Sequence, residues 1–519
     1  MADSLDIRNA RIWTGWSPRP WAESLRIADG VVRELEPAPS SSTPVIDAGG
    51  RVVVPGLIDA HMHLVLGANL RTRLDLSGAR SREAFEHAIA DRDRSLPAGA
   101  WLVAHGWSEM NWPGGTMPDR SWLAAAGDRP VVCYRMDHHA VLVNDAVLAA
   151  CDLDRAAAAI GDRGRVVRDA LGAPTGLLVE AAAWEIINPI VPRPPVEAAR
   201  TALLDTQSML HGLGVTSVGA MVYARELRDV LEPCRDQLTL RCRITLLDRA
   251  WPMSFDEGRS FRNDERLAVI GYKAFLDGTL GSRTARMLAP YADAPETHGL
   301  WLELAADGTL TEWAEGVARA GLSPSMHAIG DAAVRRALDV VEHLAARGYD
   351  VAPRVEHAQH VDPADVPRFR NVIASMQPLH RADDGCFAEA RLGAERLAGC
   401  FALRDLLAAG AQLAFGSDWP VVSCDPIRGI AAAVGGRTRE GAIFRPDQCL
   451  PFETSLAAYT RGAALALRAP DLGVLRPGAR ADLVLLDADP WAADWSTATP
   501  VLPAVVATMV GGRLVFDGR

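Results

Sequence analysis

Eight strand-like apolar runs recur along this chain, several of them separated by helix-like stretches, and that alternation limits the fold more than any other feature. The runs are "RVVVPGLIDAHMH" (51–63), "GVTSVGAMV" (214–222), "LTLRCRITLLD" (238–248), "LAVIGYKAFLD" (267–277), "GLSPSMHAIG" (321–330), "APRVEHAQHV" (352–361), "NVIASMQP" (371–378) and "AQLAFGSDWP" (411–420). Between them lie alanine- and leucine-rich amphipathic segments such as "GDAAVRRALDVVEHLAARG" (330–348). Strands alternating with helices point to a parallel sheet, and eight such units point to a closed (β/α)8 TIM-like barrel. An open doubly wound sheet is the alternative, but no GxGxxG follows an early strand to support its dinucleotide site.

Two pieces do not fit a bare barrel, in keeping with a 519-residue chain that should form two or three units. Residues 64–213 are far too long for a βα loop. They carry strand-like runs of their own, "AGAWLVAHGWSE" and "RPVVCYRMDHHAVLVN". This segment is expected to be a subdomain inserted over the C-terminal mouth of the barrel, where βα loops build active sites. The chain ends, 1–55 and 474–519, read as short strands with turns and are expected to join as one small β-domain, leaving 56–473 for the barrel and its insertion.

Composition narrows the function class. Hydrophobic residues make up 49% and charged residues 23%, an ordinary globular balance. No apolar run reaches membrane-spanning length, and "MADSLDIRNARIW" lacks the basic-then-apolar pattern of a signal peptide. The net charge of −11 comes without a basic cluster, which argues against nucleic acid or an anionic membrane as partner. Eight cysteines are scattered singly without a CxxC pair, which suits reduced thiols in a cytoplasm and disfavours a cysteine–zinc site. The expected partner is therefore a small-molecule substrate, with a homo-oligomer left open.

The first run ends in His61 and His63. Strand alternation sends both the same way, about 6–7 Å apart. The pair reads either as hydrogen-bonded core histidines or as half of a metal site. The other runs decide between these: Lys273 falls at the end of the fourth, His327 of the fifth, His357 of the sixth and Asp418 of the eighth. Six potential ligands at strand ends, on the face where barrel enzymes place catalysis, point to a divalent metal held by nitrogen and oxygen. Such donors suit zinc, manganese, nickel or iron.

Lys273 stands out further. Of 54 basic residues it is the sole lysine, and it lies inside an apolar run. A buried amine can lose its proton and act as a nucleophile, which a guanidinium cannot.

These residues carry a resemblance. "VVVPGLIDAHMH", a distant lysine, two separated histidines and "GSDWP" resemble the metal-dependent amidohydrolase superfamily. "GYKAFLDGTLGSRTARMLAPY", "SMHAIGDAAV", "VEHAQH", "MQPLH" and "FGSDWPV" are similar to its YtcJ-like branch, which includes N-substituted formamide deformylases. The tail "LGVLRPGARADLVLLDADP" resembles the superfamily's return into a terminal β-sandwich. The resemblance implies metal ligation by His61, His63, Lys273, His327, His357 and Asp418, with two zinc ions bridged by a carboxylated Lys273. A carbamate forms only from an uncharged amine and carbon dioxide, which gives the lone lysine its reason.

The resemblance further implies hydrolysis of a carbon–nitrogen bond other than a peptide bond, with Asp418 taking the proton of attacking water and delivering it to the leaving nitrogen. His139 and Asn144 follow as substrate-pocket residues, although "DHHAVLVN" has His138 where the branch usually has glycine. Trp107, Asp277, Arg283, Gln377 and Trp419 lie beside strand ends or in the insertion and are candidates to shape the pocket, with a packing or ion-pair role as the equal alternative for each. His360 and His380 follow the sixth and seventh runs and could touch substrate, but as single histidines they are read chiefly as structural. The alternatives are a one-metal deaminase of an aminated heterocycle with Lys273 free, and a non-catalytic barrel scaffold, which has no need of six intact ligands.

Overall fold

Residues 4–518, except 496, 498 and 499, are described by a computed structural model, in which the eight apolar runs form one eight-stranded parallel sheet. The strands are β1 (Leu57–Met62), β2 (Val215–Val222), β3 (Arg241–Leu246), β4 (Leu267–Phe275), β5 (Ser323–Ala328), β6 (Arg354–His357), β7 (Ile373–Met376) and β8 (Gln412–Phe415). Each pairs with its sequence neighbour. All eight residues of β2 and all six of β5 are buried. Strands covered on both faces read as continuous apolar runs for this reason. The outermost residues of the expected terminal segments, 1–3 and 519, lie outside the described residues.

The barrel closes through polar contacts just beyond β8. Asp418 N donates to His61 O at 2.7 Å and His63 N to Trp419 O at 2.8 Å. The buried Asp59 carboxylate accepts from His61 N (3.0 Å), Ser417 N (3.0 Å) and Ser417 Oγ (2.5 Å). A Cβ at Gly416 would stand 2.5 Å from His61 N, so only glycine lets the last strand pass this close to the first. Closure therefore carries Asp418 to the histidines.

Helices α1 (Leu64–Leu70) and α2 (Val196–Gly212) pack together outside β1 and β2, and α3 (Asp331–Ala346) follows β5. In α3 the buried Ala333, Val334, Ala337, Leu338, Val340 and Leu344 form one apolar stripe.

Between α1 and α2 stands a six-stranded sheet running, in spatial order, Gly164–Arg168, Pro174–Glu180, Ala140–Val143, Val131–Arg135, Leu102–Trp107 and Leu74–Asp75. Its own core includes Phe85, Trp107, Trp122 and Leu142. It reaches the loop after β4, where Thr279 Oγ1 donates to Asp137 at 3.0 Å and Thr284 Oγ1 donates to Glu180 at 2.5 Å.

Both chain ends enter a second six-stranded sheet, in which Leu483–Leu486 pairs with Val52–Pro55. A four-stranded sheet from the N-terminal segment shares its core through Ile7, Ile12, Leu25, Ile27, Val53, Leu483 and Leu485. Arg241 at the start of β3 ties this unit to the barrel through a buried two-point ion pair with Asp482 (2.8 and 3.1 Å). Among the described residues no helix is long and apolar enough to cross a membrane.

Candidate metal centre

The six strand-end residues converge. Asp418 Oδ1 lies 3.3 Å from His61 Nε2 and 3.4 Å from His63 Nε2. Lys273 Nζ, 1% exposed on β4, is 3.0 Å from His61 Nε2. The His357 ring centroid is 5.0 Å from that of His61 and 4.4 Å from that of His327. Donor atoms of His61, His357 and Asp418 all lie within 4.8 Å of one another. His327 turns Nε2 to the Gly278 carbonyl at 3.2 Å. His357 and Asp418 adopt φ of +72° and +59°. A non-glycine residue in that region costs about 1–3 kcal/mol, a strain that the surrounding contacts must hold in place.

Outer partners set the tautomers. His61 Nδ1 is 2.7 Å from Glu356 Oε2, and His357 Nδ1 is 2.8 Å from Gln377 Oε1. Each acceptor fixes a proton on Nδ1 and leaves Nε2 with a lone pair facing inward. His357 Nε2 and Asp418 Oδ1 are buried without a hydrogen-bond partner. Unpaired buried acceptors of this kind are costly in an apolar interior, and a cation satisfies them. The donor set, nitrogen and carboxylate without thiolate, fits a divalent metal.

The electrostatics agree. Burial pushes the His63 ring down to about 4 and the Lys273 amine down to about 8, the latter against the pull of Asp418 and Glu356. Burial works against the Asp418 charge, yet the His61 and His63 rings hold this carboxyl well below the usual carboxylate range. No carboxylate oxygen lies within 4.0 Å of Lys273 Nζ among the described residues, so the sole lysine is buried without a direct ion pair.

A cleft opens above these residues, lined by His139, His327, His357, His380 and Asp418 together with other residues of the insertion. His139 donates from Nδ1 to Glu180 at 2.7 Å, which leaves Nε2 for the cleft.

The other expected pocket residues do not line it. Trp107 is fully buried in the insertion's core, its indole donating to Cys133 O at 2.8 Å, because strand alternation turns it inward. Asn144 caps the helix Asp145–Ala149 and also bonds Val131 N at 3.1 Å. Arg283 pairs with Asp293 at 2.8 Å, away from the cleft. Asp277 is buried and accepts from Arg286 N, Ile329 N and Gly330 N, bracing the loops after β4 and β5. Trp419 rests its ring on Gly67 of α1, where a Cβ would stand 2.3 Å away. Gln377 acts on the site through His357. His360 is buried against Cys400 Sγ at 3.1 Å.

Sequence reasoning missed Glu356 and Glu180, and ranked the structural role of His380 above the cleft position it occupies. Arg354 and Glu356 in "RVEH" stand two apart on a buried strand with opposite charges, and that was the available signal. Glu180 carries none: its meeting with His139 depends on how two strands of the insertion are paired.

Comparison with known proteins gives a consistent picture. The chain matches the amidohydrolase family over residues 44–516. It is 31% identical to Protein LONG AFTER FAR-RED 3 of Arabidopsis thaliana, covering 99% of this chain and 92% of that protein. It is 31% identical to putative amidohydrolase YtcJ of Bacillus subtilis, covering 95% and 96%. N-substituted formamide deformylase of Arthrobacter pascens is 26% identical over 99% and 98%. The crystal structure of an uncharacterized metal-dependent hydrolase from Pyrococcus horikoshii aligns with a TM-score of 0.75 and 28% identity, over 95% of this chain and 99% of that one.

Proposed function

The chain belongs to the amidohydrolase family and is a metal-dependent hydrolase, and from that premise we propose that it cleaves the carbon–nitrogen bond of an N-substituted amide or formamide. The observation that carries this reading is the floor of the cleft, where the unpaired Asp418 Oδ1 and His357 Nε2 face the His61 and His63 rings. The formamide class is supported by the likeness to N-substituted formamide deformylase over nearly the whole of both chains.

His61, His63, His327, His357 and Asp418, with a carboxylated Lys273, would hold two divalent ions, zinc in this proposal. When bound, such ions lower the pKa of water and polarise a carbonyl. Lys273 is suited to carboxylation because it is buried, has no direct ion-pair partner among the described residues and has an amine pushed down to about 8, so a fraction is uncharged at neutral pH. The uncharged amine adds to carbon dioxide and one proton leaves, giving a carbamate anion that supplies the missing negative charge.

Asp418 does the proton work. Its Oδ1 is turned to His61 and His63, and its Oδ2 lies 3.9 Å from His380 Nε2 at the cleft wall. Oδ2 takes the proton of the attacking water and gives it to the leaving nitrogen, so that the products are a carboxylate and an amine. His139, braced by Glu180, orients the substrate from the opposite wall. The eight free cysteines support a cytoplasmic site of action.

A second reading, a one-metal deaminase, is favoured by one observation: among the described residues only three donors fall in a single cluster, while His327 Nε2 meets the Gly278 carbonyl. A screen across formamides, amides, cyclic imides and aminated heterocycles, with products identified by mass, tests both. Release of a substituted amine with formate or another carboxylate is expected. Release of ammonia from a heterocycle would overturn the amide reading.

A further inference from the structure

Beyond the metal ligands the cleft has a second polar wall whose charges are unequally matched. Arg135 donates through Nε (2.9 Å) and Nη2 (3.0 Å) to Glu109, and through Nη1 to Asp137. Arg439 is held by Asp383 at 2.5 Å and by Asn111 at 2.5 Å. Both guanidiniums are therefore committed. Asp384 lines the same cleft and has no ion-pair partner among the described residues; its hydrogen bond comes from Gln359 Nε2. The charge of Arg135 reaches Asp384, but that arginine is already shared between two other carboxylates. Burial, and then repulsion from Asp383, pushes the Asp384 carboxyl up to about 8.

This wall belongs to the reacting cleft. Gln359 Oε1 is 3.4 Å from His380 Nδ1, and His380 Nε2 is 3.9 Å from Asp418 Oδ2, so two side chains separate Asp384 from Asp418. The unpaired Nε2 of His357, a residue 2% exposed, opens into the same space. Met110, Leu280, Ile329, Phe387 and Val422 supply an apolar lining.

We infer that Asp384 is a specificity-determining residue, selecting amides whose non-reacting end is an ammonium or another cationic N–H donor on an apolar spacer and rejecting those that end in a carboxylate. A cation entering here stabilises the ionised form of a carboxyl that lacks a counter-charge, and the carboxyl gives up its proton to the solvent. An anion meets two arginines whose pairs must first be broken, and leaving a buried charge unpaired is strongly unfavourable. The inference rests on the amide-hydrolase reading and names the substrate class of that cleft.

Three probes test it on the metal-loaded full chain at pH 8: mono-N-formyl-1,5-diaminopentane, N-formylhexylamine and 6-(formylamino)hexanoate. They share spacer and formyl group and differ in terminal charge. Binding is measured by calorimetry and turnover by release of formate. Binding and kcat/KM are expected to fall from ammonium to methyl to carboxylate, by about tenfold or more at each step. Asp384→Asn should remove the ammonium-over-methyl preference. The wild-type ranking is decisive even where the variant fails to fold. Equal or better use of the carboxylate form, no binding of the ammonium form, or an unchanged preference in Asp384→Asn would each overturn the inference. Binding in the expected order without turnover of any probe would contradict the formamide reading and leave the charge selection standing.

Discussion

Glu356 Oε2 lies 2.7 Å from His61 Nδ1, with both side chains fully buried, and Arg354 Nε holds Glu356 Oε1 at 2.8 Å. A charged line thus runs up the inside of the barrel and ends on the first histidine of the site. It fixes the His61 proton on Nδ1 and keeps Nε2 available.

That relationship predicts that Glu356→Gln, which keeps volume but removes the charge, weakens metal affinity by about 10–100-fold. Titration of metal into the stripped protein checks this. Unchanged affinity would mean that Glu356 serves Arg354 alone.

Asp418→Asn should lower turnover by about a hundredfold or more while changing KM little, because a proton carrier acts during bond making and breaking. Steady-state kinetics on a cleaved amide or formamide, with metal content measured alongside, gives the answer. Near-normal turnover would remove Asp418 from that role.

His139 and Trp107 should part company. His139→Ala removes a cleft-lining ring and should raise KM or change substrate preference without stripping metal. Trp107→Ala should destabilise the insertion by about 3–5 kcal/mol and leave the kinetics of the folded fraction unchanged. Denaturant unfolding and steady-state kinetics on both variants separate the two effects.

Asp6 gives a pH test of the terminal sheets. Its inaccessible carboxylate accepts from Arg26 at 2.7 and 3.0 Å and from Arg8 at 2.6 Å; the Arg26 bond holds its pKa below the ordinary value against burial. A carboxyl depressed on folding contributes stability that is present above its unfolded pKa of about 3.9 and lost as pH falls through the folded value. Asp6→Asn should therefore cost about 1–3 kcal/mol near pH 7, a difference that shrinks on acidification below about pH 4. A pH-independent difference would contradict this assignment.

The barrel was legible because its strands are buried on both faces, so each is a run of apolar residues that stands out without an alignment. The six strand-end residues were legible for a related reason: in a parallel barrel, sequence position at a strand end fixes the face of the fold. For Trp107, Asn144 and Arg283 the sequence could not separate a pocket role from a structural one, because proximity to a motif says nothing of which way a side chain turns. Trp107 faces the insertion's core, Asn144 caps a helix and Arg283 meets Asp293. Glu180 and Asp384 were invisible for another reason. Their roles arise from pairings across 41 and 25 residues, with His139 and Gln359, that no local pattern encodes.

The central claim is that the sole lysine completes a two-metal centre as a carbamate. Electron density at Lys273 in crystals of the metal-loaded protein grown without added carboxylic acids tests this most directly. The account predicts a planar, branched extension on Nζ lying between two metal peaks, one of them shared with His61 and His63. An unbranched amine beside a single metal peak would contradict it and make the one-metal deaminase the better reading of the site.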